Sequence, residues 1–94
     1  MEIVSLNYGE HKIIYLLYLG QYEGKHYGLD ITSVSENEKN AIINNSEKIA
    51  NLDLQSKVRW IKQHCSQSYR QAFRSLSATK AQITNRYPIS RLKS

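Results

Sequence analysis

The apolar residues of this chain follow two patterns: short β-leaning runs before residue 33, and a helical stripe after residue 53. Glu2 to Tyr8 sets Val4, Leu6 and Tyr8 at alternate positions, the spacing of one strand face. Asn7-Tyr8-Gly9-Glu10 supplies a turn signal. Ile13-Ile-Tyr-Leu-Leu-Tyr-Leu19 follows, rich in β-branched and aromatic residues and closed by Gly20. Past Gln21-Tyr-Glu-Gly24-Lys25 comes His26 to Thr32, and the two runs predict a hairpin whose loop holds two glycines. Leu19 opposite His26 would set Ile14, Leu16 and Tyr18 against Ile31, Leu29 and Tyr27, an apolar face that should meet the core. Ile13, Leu17 and Leu19 take the reverse face, so the second strand should be central and covered on both sides. Seven successive apolar residues carry no usable period, so a helix over His11 to Gly20 also fits; strand is the preferred reading.

From Ser33 the pattern changes. Ser35-Glu-Asn-Glu38 reads as a capping box, with Ser35 as N-cap and Glu38 reaching back to it. Glu36 and Glu38 then lie at the positive end of the helix dipole. Ala41, Ile42, Ile49 and Leu52 give a thin apolar side, and Asn44-Asn45-Ser46 favours a break near Asn45. Asp53 is the next N-cap. At about 100° per residue, Leu54, Val58, Ile61, Cys65, Tyr69, Ala72 and Leu76 form one stripe, which predicts a continuous helix from Leu54 to Leu76. Ser77 would cap a last short helix, Ala78 to about Asn85, ended before Pro88. Pro88 to Ser94 reads as a flexible basic tail. Leu54–Leu76 followed by Ala78–Asn85 invites a helix-turn-helix comparison, a weak one, because no glycine marks the turn and Ser77 alone leaves little room for the usual connection.

The expected fold is α+β: a small N-terminal antiparallel hairpin or three-stranded sheet packed on two to three C-terminal helices. Ninety-four residues suit a single domain with one modest core. Within it, 1–32 is a β region, 33–53 an acidic helix, 54–87 a basic helical region and 88–94 the tail. No apolar run approaches the ~20 residues of a membrane span. Met-Glu-Ile-Val-Ser lacks the basic start and apolar core of a secretory signal. A lone cysteine, Cys65, excludes an internal disulfide and points to the reducing cytoplasm. Lying within the apolar stripe, it reads as a small buried hydrophobe.

Charge sharpens the picture. Leu54 to Ser94 holds nine cations and no carboxylate, while Met1 to Asp53 holds all eight acidic residues and four basic ones. The net +5 is therefore a bipolar distribution, and it points to an anionic partner, nucleic acid first. Lys57, Arg59, Lys62, Arg70, Arg74 and Lys80 are the candidates for phosphate, with Trp60, Gln63 and Gln67 for bases or sugar. Trp60 projects away from the apolar stripe, where it is a stacking residue, a protein-interface anchor, or a core residue of a sandwiched helix.

Catalytic patterns are missing. His11, His26, His64 and Cys65 have no metal-ligand spacing, and Gly20-x-x-x-Gly24 lacks the Lys-Ser/Thr of a phosphate loop. His26 with Asp30, sharing a face with Tyr15, is the one acid–base candidate and reads as structural. The expected function is a non-catalytic, cofactor-free DNA- or RNA-binding module, in a regulatory role, acting through the basic helix 54–76. The alternative is a small inhibitor, immunity factor or phage- or plasmid-type modulator that docks on a host protein or nucleoprotein complex. Tyr8, Tyr15, Tyr18, Tyr22 and Tyr27 offer contact area for that role. A homodimer paired through a free hairpin edge is a further expectation. Neutralisation of the basic helix by Glu36, Glu38 and Glu47 would weaken every binding argument.

Overall fold

The computed structural model describes residues 1–92. The chain is α+β, with five antiparallel strands in the order β4-β3-β2-β1-β5. Strands β1 (Glu2–Tyr8), β2 (Ile13–Tyr22) and β3 (Lys25–Asp30) form the expected N-terminal meander. Helices α1 (Glu36–Asn44), α2 (Ser46–Ala50), α3 (Leu54–His64) and α4 (Ser66–Ala72) follow. The chain then returns to the sheet as β4 (Phe73–Ser77) and β5 (Ala81–Pro88). Among the described residues no helix is long and apolar enough to cross a membrane.

The hairpin is tighter than its sequence suggests. Its turn is only Glu23-Gly24, with φ of +50° and +75°, the paired positive values of a turn whose twist matches the strands. Gln21 therefore faces His26, and Leu17 faces Leu29 beyond a bulge between Tyr18 and Gly20. The expected pairing of Leu19 with His26 is wrong because a two-residue turn extends both strands and the bulge resets the register. Asp30 now faces Leu16 and not Tyr15, and His26 meets the Tyr18 hydroxyl, 2.8 Å from its Nδ1. That removes the His26–Asp30–Tyr15 grouping.

Strands β4 and β5 lie on opposite edges of the sheet, yet only Ala78–Lys80 joins them. Across a flat sheet they would stand roughly 19 Å apart at a strand spacing of about 4.8 Å. Four chain steps reach at most about 14 Å, and the Lys80 N–H donates to the Ser77 carbonyl at 3.1 Å, closing a tight turn. The sheet must therefore curl into a partly open barrel. Val4, Leu6, Leu16, Leu76 and Ala81 fill its inside. Outside, Leu17, Leu19 and Leu29 pack under Ile42, Ile49, Trp60, Ile61, Cys65 and Ala72 from the helices. Strand β2 is thus central and covered on both faces.

Further expectations are corrected. The helix drawn from Leu54 to Leu76 breaks at Cys65 and ends at Ala72, and the helix drawn over Ala78–Asn85 is strand β5. The stripe residues Tyr69, Ala72 and Leu76 satisfy a helical period, but β3 needs a partner for its outer backbone groups, and Phe73–Ser77 provides it. Among the described residues the hairpin has no free edge, since β1 and β4 flank it. Nor is Pro88 onward a free tail. Pro88 pairs with Glu2, Ile89 packs on the core and donates its N–H to Met1 at 3.3 Å, and Ile89–Leu92 forms a 3-10 turn. Lys93 and Ser94 lie outside the described residues.

Candidate nucleic-acid interface

The start of α3 is locally encoded. Asp53 caps it, accepting from the Ser56 N–H at 2.8 Å, and those bonds to Ser56 hold its carboxyl below the usual range. Gln55, Arg59 and Lys62 follow at helical spacing and line one side of an open groove of about 760 Å³. Leu54 and Val58 lie within it, Tyr22, Tyr27, Tyr69 and Phe73 form an aromatic wall, and the Asp53 carboxylate, which feels the Arg59 charge, also lines it. These aromatic residues come from the β2–β3 hairpin, α4 and β4. Tyr27 and Phe73 stack at 6.0 Å between centroids, and Phe73 and Tyr69 at 5.0 Å. Lys62 Nζ sits 5.5 Å from the Tyr69 centroid, a cation–π contact. Tyr22 is 59% exposed. The groove joins an apolar bed to a cationic rim, a combination suited to a ligand with flat apolar groups and negative charge.

The other end of α3 depends on distant residues. Cys65 offers α4 no side-chain cap. The buried Glu38 carboxylate supplies one, accepting from the Gln67 N–H at 3.2 Å and from the Ser68 hydroxyl. Ser35 N–H donates to Ser68 Oγ at 2.9 Å, so the capping box of α1 and the first turn of α4 form one network. Burial alone would raise the Glu38 pKa, but bonds from Ser68, Ser35 and the backbone N–H groups of Gln67 and Ser68 outweigh it. Cys65 itself is buried, and that burial pushes its thiol up to about 11, an unreactive state.

The residues singled out in the sequence scatter. Arg59 and Lys62 line the groove. Lys80 lies in the β4–β5 turn, and Ala78 N–H donates to Gly24 at 2.8 Å, docking that turn on the hairpin tip near Tyr22 and Lys25. Gln63, Gln67 and Arg70 are exposed on α3 and α4 but do not line the groove. Lys57 turns its ammonium to the Leu19 carbonyl at 3.4 Å. Two candidates are lost to other roles. Trp60 is 8% exposed, within the helix-covered core and stacked 4.1 Å from His64. It is buried because α3 touches both β2 and α2, giving the helix two covered sides. Arg74 is held by Asp30 at 3.6 Å and by the carbonyls of Gln71 and Phe73. The carboxylates expected to neutralise the basic helix form no salt bridge with its cations among the described residues: Glu36 pairs with Lys39, Glu38 caps α4, and Glu47 makes no salt bridge.

Sequence reading missed the groove's aromatic wall. Tyr22 was visible as a tyrosine beside a glycine turn, but its approach to α3 required the hairpin and the helix layer together. Comparisons with protein-family models, with curated proteins and with solved structures find no match for this chain.

Proposed function

We propose that this protein binds nucleic acid without catalysing a reaction, as a cytoplasmic regulator, alone or on a nucleoprotein partner. The observation that carries the reading is the rim of the groove, where Arg59 and Lys62 stand beside exposed aromatic surface. Among the described residues, Arg59, Lys62, Arg70 and Lys80 make no salt bridge to a carboxylate. Exposed cations without salt bridges neutralise phosphates and release counterions, so affinity should fall steeply with salt.

The test is a titration of labelled nucleic acid at two salt concentrations, with a polyglutamate peptide as competitor. Arg59→Ala and Lys62→Ala should each lower the salt slope by about one. A salt-independent response, or equal binding of polyglutamate, overturns the reading.

A second reading has its own observation. Ile13 is 61% and Tyr15 43% exposed, at alternate positions on β2 beyond the edge of the helix layer. This pair suits a protein that docks on another protein. Purification with a stoichiometric protein partner that resists high salt, and is released by Ile13→Asp, would support it; retention of that partner by the variant would count against it.

A further inference from the structure

Resting on the nucleic-acid reading, we propose that the groove between α3 and the β2–β3 hairpin takes unpaired nucleotides and not a duplex. Its shape is concave, with its apolar bed at Leu54 and Val58. A duplex offers that bed only a ridge of phosphates, and its bases stay stacked inside. Reading a duplex from the major groove needs a protruding helix with free polar side chains. On α3 two of the residues that would serve are spent, Trp60 in the core and Lys57 turned to the Leu19 carbonyl, and Gln63, though exposed, lies outside the groove. The helix also stops after eleven residues.

An unpaired strand presents what the groove lacks. Its bases have free faces, and Tyr22, exposed on the hairpin, has a free ring to stack with one. Leu54 and Val58 shield the base edge from water, while Arg59 and Lys62 meet the phosphates that flank it. Tyr69 and Phe73 are stacked on each other and serve as a wall, so Tyr22 is assigned the stacking role. The footprint is short, a few nucleotides, and tolerant of sequence because every base has a π-face.

The experiment measures fluorescence anisotropy of a labelled mixed-sequence oligonucleotide, single-stranded and hybridised to its complement, with the full chain and with Tyr22→Ala and Tyr22→Phe. Single strand should bind at least about tenfold tighter than duplex. Tyr22→Ala should weaken it by roughly five- to a hundredfold, Tyr22→Phe should restore it, and duplex binding should stay unchanged. Tyr22 is exposed, so a circular dichroism melt serves only to confirm that the variants fold. If duplex and single strand bind alike and Tyr22→Ala changes neither, the single-strand assignment falls while nucleic-acid binding stands. If neither form binds, both fall.

Discussion

Helices α3 and α4 lie end to end in the carboxylate-free part of the chain, yet they begin in different ways. The cap of α3 is Asp53, immediately before it. The cap of α4 is Glu38, twenty-nine positions from the Gln67 N–H it receives. The cations divide along a related line. Among the described residues Arg59 and Lys62, on α3, make no salt bridge, although Arg59 lies near enough to Asp53 to lower its pKa. Arg74 and Arg86, on β4 and β5, pair with Asp30 and Glu2. Strand pairing explains the difference. It brings Arg74 and Arg86 to Asp30 and Glu2, while α3 is held by apolar contacts that leave Arg59 and Lys62 to solvent. The two arginines of the C-terminal strands are thus paired, while Arg59 and Lys62 of α3 make no salt bridge.

The contrast between neighbouring residues on α3 gives the largest expected effect. Trp60→Ala should cost about 3–5 kcal/mol of stability in a urea titration, while Arg59→Ala should stay within about 0.5 kcal/mol. If Trp60→Ala instead leaves stability intact and abolishes oligonucleotide binding, the indole is a contact residue and not core.

Loss of the long-range cap comes next. Glu38→Ala removes a buried acceptor from the Gln67 N–H and the Ser68 hydroxyl, and should destabilise by about 1–3 kcal/mol. Asp53→Ala, at an exposed cap, should destabilise less. The reverse order, read from paired thermal melts, would mean that α4 does not need Glu38.

Acid should act on the same network. Glu38 sits below its ordinary 4.5. His26 sits below 6.5 because burial, and then the Arg86 charge, disfavour the imidazolium more than a bond to the Ala81 backbone favours it. In both cases the unfolded chain takes up the proton first, so stability is full above the unfolded pKa and is lost as pH falls. Urea midpoints should therefore decline first below about 6.5, through His26, and again below about 4.5, through Glu38. In Glu38→Gln the second decline should shrink to the part that Asp53, also held below its ordinary 3.8, contributes, and the first should persist; an unchanged profile would detach Glu38 from the acid response.

The smallest effect concerns the strand cations. The Arg74–Asp30 pair is partly solvated, so Arg74→Ala should change stability by about 0–1 kcal/mol. It should also leave oligonucleotide affinity nearly unaltered where Arg59→Ala weakens it. Equal losses from the two would show that sheet and helix cations serve one surface.

Much of the fold was legible in short windows. The β-branched run at Ile13–Leu19, the Ser35 and Asp53 caps and the break at Asn45 are each written within a few residues, and each is found in the structure. The apolar stripe through Val58, Ile61 and Cys65 also marked the core side of α3 correctly. Strand β5 left a fainter trace in the alternation of Ala81 and Ile83, which a capping serine at position 77 obscured. At the candidate site, Arg59 and Lys62 were read as binding residues from charge alone, whereas the aromatic wall of the groove was not seen.

By itself, then, the sequence determined the N-terminal strands, the starts of α1, α2 and α3, and a basic second half. Tertiary structure decided that the chain leaves the helix at Phe73, that the sheet curls, that Trp60 is enclosed and which cations stay free. The physical reason is that caps and periodicities act over a few residues. The backbone groups of β3 and β1 need hydrogen-bond partners from the far end of the chain, and no local pattern records that demand.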